Sequence, residues 1–422
     1  MRNIVFPLFA VSSAAIVYVL QHEGDILLSF AFSFLLETGY TLQVLIEKNK
    51  ADASKWNAIL LSSIVFGFIG VLIVKKYGKK NFYKAKRAYL WLFILTIIVA
   101  IIFGLLLTPL GFTRNSTTAW YKIGTLEIQA TELFKPLYVL FHATLWRSGL
   151  PNNKRYIIST GVTLLYAFFL FYISELGTLM AIMMLWLILT FIFMERQLYF
   201  FVSTGGTAAF GIIIYYITKW GYAIDESKWG DTIENYSVLG KIYIKLDQRI
   251  LMFTDYSQYC VKYGTDASTQ PLAAHKMIIQ GGLLGSTSNN IYIGEEHTDF
   301  AYVSLLYRCG IVFGIVVLFL FLIILFRGIV LSCNTDEKFM AIIYAGAALN
   351  IAVPTFINIL GTTNMSVLAG VAIPFISHGG TNMAVSFFCI MLLLDGSCQR
   401  PNQFLRKLSY RFERNKRKII RK

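Results

Sequence analysis

The sequence predicts an all-α polytopic integral membrane protein with about ten transmembrane helices. Composition predicts it first: hydrophobic residues fill 56% of the 422 positions and charged residues only 14%, against roughly a quarter charged in a soluble domain. Distribution predicts it again, because the charges sit in the gaps between long apolar runs. Run length completes the case, since a bilayer core asks for roughly 20 apolar residues per helix. Clear runs cover 3–20, 57–75, 88–111, 156–173, 178–194, 198–218, 300–326 and 339–360. Two weaker ones cover 132–146, which holds Glu132 and Lys135, and 378–394, which opens on His378-Gly379-Gly380. Only Arg2 precedes the first run and no small-x-small cleavage site follows, so it reads as a retained helix rather than a signal peptide. Residues 26–46 turn mixed in their second half, where Glu37, Thr38 and Gln43 would be costly at mid-membrane. They are expected to lie as an interfacial amphipathic helix at the outer face, an eleventh span being the alternative.

Charge sets the expected orientation. Lys and Arg accumulate on the cytoplasmic side because they resist translocation. Segment 75–87 carries seven basic residues and no acid, and the tail from Arg400 carries ten against one, Glu413. Between Lys219 and Asp299 ten acids face seven bases. Both termini are therefore expected in the cytoplasm and 219–299 outside, as a large loop between helices 7 and 8. The net charge of +15 becomes a property of the inner face. It suits anionic lipid headgroups and requires no nucleic acid. Residues 1–398 read as one membrane domain, followed by a basic tail over 399–422.

The five cysteines form no CxxC pair, and only Cys260 lies in an outside loop, which leaves it without a disulfide partner there. The others sit in or beside spans, as small buried hydrophobes. No Walker loop, GxSxG or GxGxxG occurs, so no nucleotide or redox cofactor is expected. A loop as long as 219–299 is usually functional. Its stretch 271–284 is apolar enough to dip into the membrane surface, with Gly281-Gly282 and Gly285 supplying turns.

Four groups of residues carry chemistry. The long loop closes on Gly294-Glu295-Glu296-His297-Thr298-Asp299-Phe300. Later come Phe356-Ile357-Asn358 and Gly370-Val371-Ala372-Ile373-Pro374-Phe375-Ile376-Ser377-His378-Gly379-Gly380. Upstream stand Trp120-Tyr121-Lys122, leading into Gln129-Ala130-Thr131-Glu132-Leu133-Phe134-Lys135, and then Ser174-Glu175-Leu176-Gly177-Thr178. Together, over about residues 115–395, they resemble the FtsW/RodA/SpoVE family of shape, elongation, division and sporulation proteins. In that family the large outer loop ends in P-E-x-H-T-D-F. F-I-N and G-x-P-x-P-F-I-S-Y-G-G follow, and Q-P-S-E-x-x-K and Q-P-D-L-G-T precede. The chain departs from the pattern in three places. Thr118-Ala119 replace the basic residue before the Trp, with Lys122 as a substitute. The Gln-Pro of Q-P-D-L-G is absent and its Asp is Glu175. The signature Tyr is His378.

The resemblance implies a peptidoglycan glycosyltransferase in the bacterial plasma membrane, working in division, elongation or sporulation. Its substrate would be lipid II, a disaccharide-peptide on an undecaprenyl pyrophosphate carrier. It also implies a class B penicillin-binding transpeptidase as partner and a divalent cation, Mg or Mn, with Asp299 as its candidate ligand. The residues suit such chemistry. Asp299 would take the proton of the attacking sugar hydroxyl, and cations such as Lys135, Lys122 and Arg249 would meet the leaving pyrophosphate. Each candidate also has a plainer reading. Asp299 or Thr298 could cap the helix that starts at 300. Glu132 and Lys135, three apart, share a helix face and form either an ion pair that lets both sit in a span or a substrate site. Glu175 is a pocket residue or a cap, and His297 supports its neighbours. Asn358, Ser377, His378, Gly379, Gly380 and Trp120 complete the substrate-site candidates. Segment 361–380, polar and Gly-rich, is expected to be re-entrant and cavity-lining, because irregular backbone at membrane depth must be buried in protein. A flippase for lipid-linked sugars and a non-catalytic scaffold for cell-wall enzymes are the alternatives to the enzyme.

Overall fold

The computed structural model describes residues 12, 15–46, 50–78, 85–114, 117–123, 126–225, 235–267, 269–287 and 291–399. Most of the expected first span, 3–20, and the tail from Arg400 lie outside the described residues. The elements run α1 (Ile26–Ile46), α2 (Lys50–Gly78), α3 (Ala85–Leu106), β1 (Gly111–Arg114), β2 (Thr117–Ile123), β3 (Leu126–Gln129), α4 (Ala130–Arg147), α5 (Asn152–Tyr172), α6 (Leu176–Phe193) and α7 (Leu198–Ile224). Then come α8 (Val238–Thr254), α9 (Tyr256–Ala267), α10 (Thr269–Gly281), α11 (Ala301–Cys333), α12 (Lys338–Thr362) and α13 (Gly380–Gln399). Helices α1–α7 and α11–α13 alternate in direction between two ends of one bundle, α8 and α9 gather at one end, the mouth, and α10 descends from it beside α11. Eight of the described helices are long and apolar enough to cross a membrane.

Helix α12 sits at the centre, buried on every side. Small residues let its neighbours approach. A Cβ on Gly328 of α11 would stand 2.4 Å from the Ala348 Cβ, and one on Gly346 would stand 2.2 Å from Val139 of α4. Close approach through small residues is how helices associate in lipid, where no hydrophobic force separates them from the solvent. At the end opposite the mouth, ion pairs tie the helices together. Asp25 meets Arg327, Lys75 meets Asp395 at 2.5 Å, and Arg147 meets Glu337 at 3.2 Å.

Residues 26–46 correct the interfacial expectation. They form α1, a candidate span packed inside the bundle along α11, with Asp25 at the far end and Gln43 at the mouth. The cost expected of Gln43 is offset at its amide nitrogen. Its amide is fully buried and donates to the carbonyls of His297 at 3.0 Å and Ile376 at 2.8 Å. Glu37 stays exposed.

The long loop reaches down the bundle. Helix α11 breaks at Gly310, whose φ is +84°. The freed N–H groups of Ile311 and Val312 donate to Gly282 O (2.9 Å) and Leu283 O (3.3 Å), and Ser286 N donates to Tyr307 O (2.8 Å). At 1.5 Å rise per residue, this dock lies about 13 Å below the start of α11. After α12 the chain re-enters the bundle. Ile373, Phe375 and Ile376 are wholly buried, and Asn358 and Asn382 donate to the carbonyls of Val371 (2.5 Å) and Ala372 (3.2 Å).

Candidate functional site

The β-hairpin positions the first group. Its three strands are antiparallel, with Trp120 opposite Gln129, and β3 runs straight into α4 at Ala130. Glu132 therefore falls in the first turn of α4, one turn above Lys135. The two form an ion pair of 2.7 Å with both side chains about as buried as the core, at 5% and 4% exposure. Gln129 Nε2 donates to Glu175 Oε1 at 3.4 Å, and Thr178 Oγ1 donates to the same oxygen at 3.1 Å. Ser174, just before Glu175, holds a left-handed φ of +61°. Glu175 is turned back over the start of α6 rather than along it.

Helix α8 supplies cations from above. It begins at Ser237, whose Oγ accepts from Gly240 N at 3.1 Å. Asp247 anchors one face, accepting from Lys262 (2.6 Å), Tyr263 (2.6 Å) and Tyr243 (3.2 Å). Lys241, Lys245 and Arg249, four apart, share another face. Lys245 donates to Thr117 Oγ1 at 2.8 Å. Gly370, at φ +64°, explains why a glycine stands there. A Cβ would lie 3.3 Å from Asp299 Oδ2 and 3.7 Å from Arg249 Nη2. Asp299 and Arg249 thus close around one point of the re-entrant segment.

The charges perturb one another. Burial raises the pKa of Glu175, Glu132 adding to the effect while Thr178, Arg249 and Lys245 oppose it. Burial pushes Lys245 down to about 8, with the Arg249 charge helping and Glu175 resisting. Burial also lowers Arg249, against the pull of Glu175 and Asp299. The charges of Glu175 and Asp299 thus both act on the Arg249 guanidinium, and Lys245 lies one turn before it on α8.

Asp299 sits on a tightly held turn. Thr298 N and Phe300 N each donate to Glu295 O at 3.1 Å, and Glu295 carries φ +56°. Thr298 Oγ1 donates to Glu295 Oε2 at 2.8 Å. Beneath, Glu296 pairs with Arg308 at 3.0 Å and accepts from Ser304 at 2.7 Å. The N-cap of α11 is Phe300, with no side-chain cap bond. The N-cap position of α11 thus falls to Phe300 rather than to Asp299 or Thr298.

The remaining candidates divide. Asn358 Nδ2 donates to Asp299 O at 2.8 Å, and Ser377 Oγ donates to Thr298 O at 2.7 Å. Both spend their polar atoms on backbone next to Asp299. The His297 and His378 rings stand 5.9 Å apart, and His378 N donates to His297 O at 2.7 Å. Gly379 and Gly380 lie at the start of α13, where Thr381 Oγ1 accepts from Gln129 N at 3.0 Å. Trp120 is half-buried on β2. Lys122 is exposed, with its ammonium 5.2 Å over the Phe112 ring, and is not brought to the cluster. Sequence reasoning missed Lys245 and Gln43. The repeat of basic residues along KIYIKLDQRI was a signal for Lys245; nothing local marked Gln43.

Fold and mouth together define a class: a multi-pass α-helical membrane protein with a half-buried ionic site at one end of its bundle, beside the helices of a long loop. Within that class, the profile of the FtsW/RodA/SpoVE cell cycle protein family matches residues 25–401, and the chain belongs to this family. It is similar to stage V sporulation protein E of Bacillus subtilis (strain 168), with 24% identity over 324 residues, 73% of this chain and 79% of that one. It is likewise similar to the probable peptidoglycan glycosyltransferase FtsW of the same organism, at 24% over 304 residues, 68% of this chain and 69% of that one. Its fold matches a chain solved in a peptidoglycan synthase complex that coordinates polymerization and crosslinking. The TM-score is 0.63 at 17% identity, covering 88% of this chain and 97% of that chain.

Proposed function

We propose that the protein polymerises lipid II into glycan strands as a peptidoglycan glycosyltransferase, with the mouth at the outer face of the plasma membrane. The observation that carries this reading is the placement of Asp299 and Arg249 against the same glycine, Gly370, with Lys245 one turn before Arg249 on α8. Asp299 takes the proton of the acceptor's sugar hydroxyl as that oxygen bonds the donor's anomeric carbon. The bond from that carbon to the pyrophosphate breaks, and the pyrophosphate leaves with the electron pair. Arg249 and Lys245 meet its negative charge, fixed in place before the reaction.

The seat offered to a divalent cation is a shared one. Among the described residues no three His, Cys, Asp or Glu side chains converge as a ligand set. Mg²⁺ commonly uses one or two carboxylates plus substrate phosphates, and Asp299 with the pyrophosphate oxygens fits that pattern. When bound, the ion would neutralise charge on the leaving group. A class B penicillin-binding transpeptidase is the proposed partner, in keeping with the synthase complex whose chain shares this fold.

A flippase would need polar groups open to a passage through the spans. Those between α4, α5 and α6 are instead spent on one another: His142 bonds Tyr138 O at 3.0 Å and Ser159 Oγ at 2.8 Å, Trp186 donates to Ser159 at 3.1 Å, and Tyr138 OH meets Thr163 at 2.6 Å. The test is polymerisation of labelled lipid II by purified protein, with and without the transpeptidase. A ladder of glycan chains supports the reading. Folded protein that makes no polymer in either arm overturns it.

A further inference from the structure

We propose that α1 is a clamp on the catalytic turn, and that Gln43 is a positioning residue for Asp299. Three consecutive carbonyls of that turn are each held by a different part of the fold. Asp299 O accepts from Asn358 of α12 and Thr298 O accepts from Ser377 of the re-entrant segment. His297 O accepts from both His378 N at 2.7 Å and Gln43 Nε2 at 3.0 Å. The same Gln43 nitrogen donates to Ile376 O at 2.8 Å. One fully buried amide thus stitches the end of the long loop to the re-entrant segment.

The rest of α1 is shaped for this contact. Gly39 lies one turn before Gln43. A Cβ there would stand 2.0 Å from Phe375 O, so glycine is what lets the helix backbone press against that carbonyl. Phe375 itself holds a left-handed φ of +65°, a conformation that persists only where the surroundings enforce it. Its ring meets Phe32, two turns further along α1, edge-on at 5.4 Å. Phe32, Gly39 and Gln43 follow helical spacing on one stripe. Only an amide of this length supplies two N–H donors at that place. Leu fills the same volume with no donor, and Asn keeps the donors but stops one methylene short.

Loss of the stitch leaves the Asn358 and Ser377 bonds in place, so the turn loosens without coming apart. A misplacement of about 1 Å at a reacting group can cost about a hundredfold in rate. Gln43→Leu is expected to lower kcat for lipid II polymerisation by about ten- to a hundredfold, with KM within about twofold of wild type. Hydrogen exchange at the His378 amide and across 295–300 should accelerate. Leu28→Ala, at the far end of the same helix, should lower thermal stability with kcat per folded molecule unchanged. Should Gln43→Leu not fold, Gln43→Asn carries the same test.

The kinetic arm rests on the proposed activity, whereas the exchange arm does not. Wild type that forms no polymer would remove the activity and leave the clamp to be judged by exchange. Wild-type kcat together with wild-type exchange in a folded Gln43 variant would overturn the clamp.

Discussion

Lys245 offers a prediction whose size can be worked from its surroundings. It lies on α8, outside the spans, and burial beside Arg249 brings its pKa to about 8. The sign is that of a lysine held below its ordinary value: the ammonium is present below that pH and lost as pH rises through it. From that value, about nine-tenths of Lys245 is charged at pH 7 and about one-tenth at pH 9. A hydrogen bond to a charged group contributes about 1.5–3 kcal/mol. Lys245 is partly exposed, which favours the lower end, equivalent to about tenfold in affinity. If it meets the pyrophosphate, kcat/KM for lipid II, which reports the free enzyme, should fall by about fivefold between pH 7 and pH 9, because about one-tenth of the ammonium remains at pH 9. Lys245→Arg should flatten this alkaline limb, because a guanidinium stays charged. Lys245→Gln should be weak at every pH and equally flat. The assay is initial-rate polymerisation over that range, with Lys245→Gln as the decisive variant. An alkaline limb in Lys245→Gln identical to wild type would refute the assignment.

Further outcomes follow from single contacts. Glu132→Gln should reduce folded yield, because it strands the Lys135 ammonium at 4% exposure, and breaking a buried pair costs about 3–5 kcal/mol; normal melting temperature and normal turnover together would remove both roles. Gly310→Ala places a Cβ 2.3 Å from Leu283 O at φ +84°, so amides of 281–287 should exchange faster, and unchanged exchange would contradict the dock on α11. A membrane-impermeant maleimide should label Cys260 from outside the cell and reach Cys333, exposed at the far end of α11, only after permeabilisation; the reverse pattern would invert the orientation.

The apolar spans were legible because their signal is local: a run of side chains that must avoid water looks the same in sequence and in the bundle. α1 was misread because the partners of Gln43 lie 254 and 333 residues away, and a polar residue without visible partners looks too costly for a span. The ion pair of Glu132 and Lys135 was legible from its spacing, and the motif around Asp299 from its resemblance. What spacing could not give was that Asn358 and Ser377 hold backbone beside Asp299, or that Gly370 leaves room for its carboxylate next to Arg249. Those contacts exist only once the re-entrant segment is folded against the loop. Lys122 shows the converse: two residues from Trp120, it shares a face of the strand with it, yet it is exposed with its ammonium over the Phe112 ring.

The central claim is that Asp299 takes the acceptor's proton, and Asp299→Asn measures it most directly. Asn is nearly isosteric and can itself cap a helix, so the start of α11 is kept. The variant should fold, bind lipid II and keep its transpeptidase partner. It cannot serve as a carboxylate base, and loss of general-base catalysis costs about a hundredfold to ten-thousandfold in rate. The account predicts folded Asp299→Asn protein with lipid II bound and no glycan chains on a gel. Chains of normal length made at a near-normal rate by that protein would contradict it.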